Sequence, residues 1–560
     1  MINQITPKTW KLTSIIAAIS LIVFILLQLL PSLNATANST ASSKPISSDK
    51  AIEIATAFAE QHTSFTVEKA EAYHQGNKIY TGYIMKEKLQ ATHDEKFEQL
   101  VPFDQYQVNL SFASGEGNGY VIMNLFTGQV TGWNFSITGT VADSDSTLAA
   151  LKQVITERQF PLNDATHFDQ YEAVSQPNDW AAITSPASNS IGWYISNDAE
   201  VIGEAILQID TVVLETNEGT IVSKYLPDFI IPDEYTAYTK KQDFFAGLWT
   251  YIGYMGFTFI FGVLAIIYAI LYRRHTSFKY GMWLTIISTI ISALVNFGFL
   301  KSQLGLQSNT IMDDGFANIF MIIFVIISVI IGAIGVYFSF VAGDGLWKAQ
   351  GFRLWPRFRD RDYGHYIWDM MKMSYLLAII LLGIQNVIYL LLTTVLGTWS
   401  ANDATQSFLN FEFTWLYPAV AWMAAISEEV IYRYFGVGIF RRWFKNTWLA
   451  ALIPSLVWAA GHTLYPLYPA STRILELVII GMLFTFIMVK FGFIAAMFTH
   501  AIFNTILMSM QLILFGGTID IVSSIVFLIL PFLIAYVIKL LHNNFNSNRG
   551  SKSGLSEPSR

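Results

Sequence analysis

Apolar residues fall along this chain in two rhythms. Residues 12–30 are an almost unbroken apolar run after the short basic stretch 1–11. Residues 32–243 instead alternate short apolar segments with polar and turn residues. From Phe244 the long runs return and continue almost to the end. A membrane-crossing helix takes about 20 apolar residues. The pattern predicts spans at Leu12–Leu30, Phe244–Tyr272, Tyr280–Leu300, Phe316–Val341, Met373–Leu396 and Phe411–Tyr432. Four more follow at Thr447–Gly461, Ile474–Val489, Gly492–Leu514 and Ile519–Leu540, about ten in all, with the seventh and eighth short.

The first run is longer than the usual signal-peptide core of about 7–15 residues, which favours an uncleaved signal anchor, although Ala35-Thr36-Ala37 would suit signal peptidase. After a Ser/Thr/Ala-rich linker, residues 47–140 and 143–238 read as two similar units. The first predicts a helix at Asp49–Gln61, with Ala51, Ile54, Ala55 and Phe58 on one face, and strands at Lys78–Met85, Gln105–Phe112, Tyr120–Asn124 and Val130–Ile137. The second predicts a helix at Asp145–Gln159 and strands at Ile191–Ser196, Glu204–Thr216 and Thr220–Tyr225. This order, with a turn at Thr127-Gly128-Gln129, loosely resembles PepSY-type domains. His62, His74, His93 and His167 are scattered through the region and read as solvated surface residues.

Composition divides the chain in the same place. It is 53% hydrophobic and 13% charged, with a net charge of −7. Residues 32–243 carry −16 and the remainder +9, so neither part suggests nucleic-acid binding. The absence of cysteine excludes disulfides, thiolate metal sites and cysteine nucleophiles. Bases cluster in every second loop: Arg273 and Arg274, then Lys348–Arg361, then Arg441, Arg442 and Lys445, then Lys490, then the end of the last span. The positive-inside rule therefore places both termini in the cytoplasm and residues 32–243 outside. Aromatic residues in the Lys348–Arg361 loop read as an interfacial belt on anionic lipid. The fold expected is an all-α polytopic membrane domain with an exported α+β domain inserted after the first helix. Its divisions are an anchor at 1–31, the exported domain at 32–243, accessory spans at 244–372, a core membrane domain at 373–541 and a disordered tail at 542–560.

Ionisable groups at membrane depth are costly and mark function by default. Glu428, Glu429 and Arg433 lie on one apolar helix, and His462 and His500 are the histidines within or abutting spans. Four-residue spacing puts Glu429 with Arg433, and His500 with Asn504, on shared helix faces. Adjacent acids are rotated by roughly 100°, so Glu428 and Glu429 are expected to do different work. A buried carboxylate can activate water, histidine can act as base, ligand or donor, and an asparagine amide can donate to an oxyanion. Zinc on Glu428, His462 and His500 is the alternative, although no His-Glu-x-x-His pair is present. A proton pathway and simple interhelical hydrogen bonding are the rival readings of the same residues. Glu476 beside Arg473 reads as a pair at the interface.

Three motifs occur in order on successive apolar segments: Glu428-Glu429-x-x-x-Arg433, Trp458-x-x-x-His462 and His500-x-x-x-Asn504. Together they resemble the CPBP family of type II CAAX prenyl endopeptidases and bacteriocin-processing or immunity membrane proteases. Trp458 stands where the family more often has phenylalanine. The resemblance covers residues 373–540. It implies an intramembrane endopeptidase in which Glu428 and His462 activate water, His500 and Asn504 form the oxyanion hole, and Glu429 and Arg433 orient the site. It leaves glutamic and metal-dependent mechanisms open, with the metal-free form preferred. The implied partners are a membrane-associated peptide or protein substrate and the bilayer. A non-proteolytic immunity or scaffold protein, or a proton-coupled transporter, are the alternatives. One conflict stands: these boundaries put His462 at the outer end of its span and Glu428 towards the inner end of its own.

Overall fold

The computed structural model describes residues 5–32, 44–143, 201–217, 219–279, 281–308 and 315–553, with short pieces of 144–200. Most of the expected helix Asp145–Gln159, His167 and most of residues 155–200 lie outside the described residues. Helix α1 (Pro7–Ser32) precedes the sheet region. Helix α2 (Ser48–Thr63) starts where the Ser47 hydroxyl accepts the Lys50 N–H, and ends where Ser64 turns to φ 61°. Its Ala51, Ala55 and Ala59 are fully buried, so small side chains let the helix lie close to the sheet.

The sheet is built from β1 (Val67–Gly76), β2 (Asp104–Phe112), β3 (Gly117–Asn124), β4 (Val130–Ile137), β5 (Ala205–Thr216) and β6 (Gly219–Ile230). Its order is β1-β2-β3-β4-β6-β5, followed by two short strands, so strands from both parts of residues 32–243 share one sheet. The β3–β4 turn forms as expected, with the Asn124 side chain accepting the Phe126 and Thr127 N–H groups and Gly128 at φ +71°. Trp133 anchors the core, its indole N–H donating to the Val222 carbonyl at 2.7 Å.

Two local expectations are corrected. Lys78–Met85 is not a strand but helix α3 (Lys78–Glu87), capped by Asn77 and burying Tyr80, Thr81, Gly82, Tyr83 and Ile84 together. Its β-branched and aromatic residues suit a strand, but burial of a helical face overrides that preference. Strand β1 gives no clean alternation because Glu68, Lys69 and Glu71 lie along an edge strand, where charge is usual. The histidines are also not all solvated. His93 is fully buried and stacked 3.7 Å from the Phe103 ring, and His74 is 8% exposed.

Among the described residues eight helices are long and apolar enough to cross a membrane. After α1 they are α4 (Asp233–Leu271), α5 (Gly281–Ser308), α6 (Gly315–Ala349) and α7 (Tyr363–Leu396), then α11 (Ala470–Phe491), α12 (Phe493–Phe515) and α13 (Thr518–Ser553). The chain is thus a multi-pass membrane protein. The other two expected spans are shorter or broken. The pieces α8 (Ala419–Glu428) and α9 (Gly438–Phe444) are joined by a π-helical turn, and α10 (Thr447–Ala460) has 14 residues. The last helix continues to Ser553, so residues 542–553 are helical and not a disordered tail.

The sheet region is fastened to one end of the helical bundle. His74 bridges Asp104 and Ser407 at 2.9 and 2.8 Å, while Asn402 donates to Asp104 and Asn410 pairs with the His74 backbone. Asn109 reaches the Gly305 carbonyl, and Tyr73 lies where a Cβ on Gly305 would meet its ring at 2.1 Å. Basic residues gather at the far end, but the aromatic loop there is not a lipid belt. Trp347 is fully buried and donates to the Tyr434 carbonyl, Trp355 stacks on Phe493, and Arg441 covers Phe352.

Burial pushes the Glu98 carboxyl up to about 7, against a hydrogen bond from the Phe103 backbone that lowers it. The unfolded residue titrates near 4.5, so the folded state holds more protons between those values. The sheet region is therefore expected to lose stability as pH rises from about 4.5 through about 7, by at most about 3 kcal/mol. Glu98→Gln should flatten that slope in thermal unfolding followed from pH 4 to 8, and an unchanged slope would contradict it.

Candidate active site

Helix α8 begins after Pro418 and its continuation runs to Phe444, so Glu428 lies nine residues below its start and sixteen above its end. At a rise of about 1.5 Å per residue, Glu428 sits nearer the sheet end than the far end. The expected span Phe411–Tyr432 is therefore displaced, its first residues forming short 3-10 turns. This removes the conflict with His462, which follows α10 at the sheet end.

Glu428 and Glu429 mark the junction of two helical pitches: α8 ends at the first and the π turn Glu429–Val437 begins at the second. Single π segments inside α-helices often occur at functional sites. Here the junction aims the two acids at the two nitrogens of one imidazole. His500 Nδ1 pairs with Glu429 Oε1 at 2.9 Å, and His500 Nε2 lies 3.8 Å from Glu428 Oε2. The Trp458 indole N–H donates to Glu428 Oε2. Glu429 is fully buried, whereas the Glu428 side chain keeps 16% exposure. The expected division between the acids is visible as a difference in surroundings.

Glu429 also meets Arg433, with Nη1 to Oε1 at 3.3 Å. The guanidinium is 1% exposed, and its nitrogens find no hydrogen-bond partner among the described residues. It is instead sandwiched between rings, 4.0 Å from the centre of Trp458 and 5.3 Å from that of Phe484. Gly481 makes room for it, since a Cβ there would stand 3.2 Å from Nη2 and 2.8 Å from Ser455 Oγ. Phe484 also stacks on His500 at 4.6 Å.

His462 is held by the Trp458 carbonyl at Nδ1, 2.9 Å away, and stacks on Tyr465. Glu428 and His500 are its electrostatic neighbours. The small residues before it permit a close approach: a Cβ on Gly461 would lie 2.4 Å from the Tyr254 ring of α4. Asn504 is half-buried one turn beyond His500, and its amide has no protein hydrogen bond among the described residues. The structure thus brings Glu428, Glu429, Arg433, Trp458 and His500 into direct contact, with His462 and Asn504 alongside. Arg473 pairs with Glu476 at 2.8 Å as expected, but Glu476 is buried and also accepts from Gln385.

A zinc ion would need three converging donors. Glu428, His462 and His500 do not bring one ligand atom each within 4.8 Å of one another, and His500 Nδ1 is already committed to Glu429. The donor set as arranged does not fit a closed zinc site. Phe484, Tyr254 and Gly481 were not identifiable as site residues from sequence. Each is an ordinary apolar or small residue of a membrane helix, and only the fold places it against an ionisable group.

The fold and site define a polytopic membrane protein with a buried carboxylate–imidazole centre. Residues 410–506 match the family model described as "Type II CAAX prenyl endopeptidase Rce1-like", so this segment is similar to that family. The family is one of hydrolases acting on peptide bonds. A curated relative, the "Sporulation-killing factor biosynthesis protein SkfC" of Bacillus subtilis (strain 168), is 33% identical over 89 residues. That stretch covers 16% of this chain and 18% of the relative. No solved structure matches. The family-model match does not reach the sheet region.

Removing one member of a buried ion pair typically costs about 3–5 kcal/mol. Arg433→Met is expected to lower stability by that order in thermal unfolding of detergent-solubilised protein. A loss below about 1 kcal/mol would show that the ring faces, not Glu429, hold this side chain.

Proposed function

We propose that the chain is an intramembrane endopeptidase cutting membrane-associated peptides or proteins with a glutamate-activated water. The observation that carries this reading is the unequal acid pair on one imidazole. Buried Glu429 fixes His500 through Nδ1, while partly exposed Glu428 faces the other nitrogen. Glu428 takes a proton from water as the oxygen attacks the scissile carbonyl carbon. The resulting oxyanion accepts hydrogen bonds from His500 Nε2 and the Asn504 amide. Collapse breaks the C–N bond, and the proton held by Glu428 passes to the departing amine, with His462 sharing the transfer. Trp458 orients Glu428, and Arg433 with Glu429 holds His500 in place.

No step is routed through a metal. The basic far end of the bundle supports a cytoplasmic placement for both termini, and an outside placement for the sheet region. The name of the Bacillus relative suggests a precursor in a biosynthetic route as one substrate to try. A non-proteolytic scaffold is the weaker alternative, because such a protein has no need for an acid left partly open beside two imidazoles.

Terminal proteomics of membrane fractions should show protein termini that are present with wild type and absent with Glu428→Ala and His500→Ala. Three indistinguishable profiles would sink the protease reading. With a substrate found that way, Glu428→Gln is expected to lower turnover by about 10²–10⁴-fold, the usual worth of a general base. Chelator treatment of purified enzyme should leave activity unchanged. Stoichiometric zinc lost together with activity would overturn the metal-free mechanism.

A further inference from the structure

A cavity of about 520 Å³ lies where the sheet region meets the helical bundle. Its roof includes His74 and Asp104 from β1 and β2, and its sides include Asn402, Gln406 and Ser407 from the loop before α8. Its floor is made by residues standing directly above the candidate active site. Val420, at the top of α8, lies two i,i+4 steps above Glu428 through Ala424, and all three are partly exposed. On α12, Met508 and Gln511 line the cavity and continue the His500–Asn504 face upward. Tyr465, another lining residue, stacks on His462 and bonds the Gln406 side chain at 2.9 Å. Eight residues of helix separate Val420 from Glu428, about 12 Å.

Three separate elements therefore carry partly open side chains from one cavity down to the three groups of the site. The polar roof and the apolar floor suit a polypeptide segment leaving the bilayer: backbone amides can bond at the top while side chains pack lower down. We propose that this cavity is the entry vestibule of the protease, admitting substrate from the sheet side, and that the sheet region is its roof. The substrate class is then a peptide, or a membrane-anchored protein segment, presented on the face where the sheet lies. This rests on the endopeptidase reading above, and it assigns the sheet region to the substrate path. The hydrogen bonds of His74, Asp104, Asn402 and Asn410 fix the height of that roof.

The chain contains no cysteine, so a single introduced thiol reports on one position. Full-length Gln511→Cys is expressed in wall-stripped cells and treated from outside with a membrane-impermeant polyethylene-glycol maleimide of about 2 kDa. Gln406→Cys is the second vestibule position. Ile513→Cys, exposed on another face of the same helix, is the control. Labelling is read as a mass shift, and activity as the Glu428-dependent termini formed on newly made proteins afterwards. The expected result is labelling from outside at 511 and 406, with at least a tenfold fall in those termini relative to unlabelled cells, and no fall for labelled Ile513→Cys. Labelled 511 and 406 variants that keep their Glu428-dependent termini would overturn the vestibule and leave the protease standing. So would thiols at 511 and 406 that react only after permeabilisation. If wild type yields no Glu428-dependent termini, the protease reading fails and the vestibule falls with it.

Discussion

The Glu429 carboxylate is the fixed point of this structure. A fully buried carboxylate is tolerated only when opposite charge or donors surround it, and here one oxygen meets both Arg433 and His500. That requirement reaches into four helical elements. The π turn supplies the acid and the arginine, α12 supplies the imidazole, α10 supplies Trp458, and α11 supplies Phe484 and the absence of a side chain at Gly481. Each of these residues is explained by the need to keep one charge neutralised away from water. Glu428, one residue earlier, lies outside that closed set and keeps access to the open side.

The division of the chain into an acidic sheet-bearing part and a basic helical part was legible from apolar rhythm and charge. So were five of the strands, to within a few residues, and the first half of a sixth, because alternation with a buried face is a strong signal. What failed, failed for identifiable reasons. Lys78–Glu87 carries strand-like residues whose burial on a helix depends on partners far away in sequence. The Trp347–Trp355 loop looked interfacial because aromatics and bases sit together at membrane edges, yet the same residues fill a helical core when neighbours close over them. The start of α8 was misplaced because Phe411 and its neighbours are apolar enough for a span while forming only short turns.

The candidate site was legible as a set of residues and not as a geometry. Spacing placed Glu429 beside Arg433 and His500 beside Asn504, and the structure keeps both relations. Spacing could not show that the two acids would address opposite nitrogens of a single ring, since that depends on how α12 lies against the π turn. Nor could it show that Trp458, noticed only as the aromatic member of a motif, would bind Glu428 directly. The aromatic faces around Arg433 were equally hidden, because phenylalanine in a membrane helix is ordinarily unremarkable.

The π turn has one further consequence. Extra residues in a helix usually shift everything beyond them along the axis and around it. A segment already wound with more residues per turn can take up or release one by changing pitch. The stretch Glu429–Val437 stands in this way between the end of its helix that carries Glu428 and the basic end near Arg441. Length variation below the acids would turn the lower helix while leaving the upper one, and Glu428 with it, where it stands.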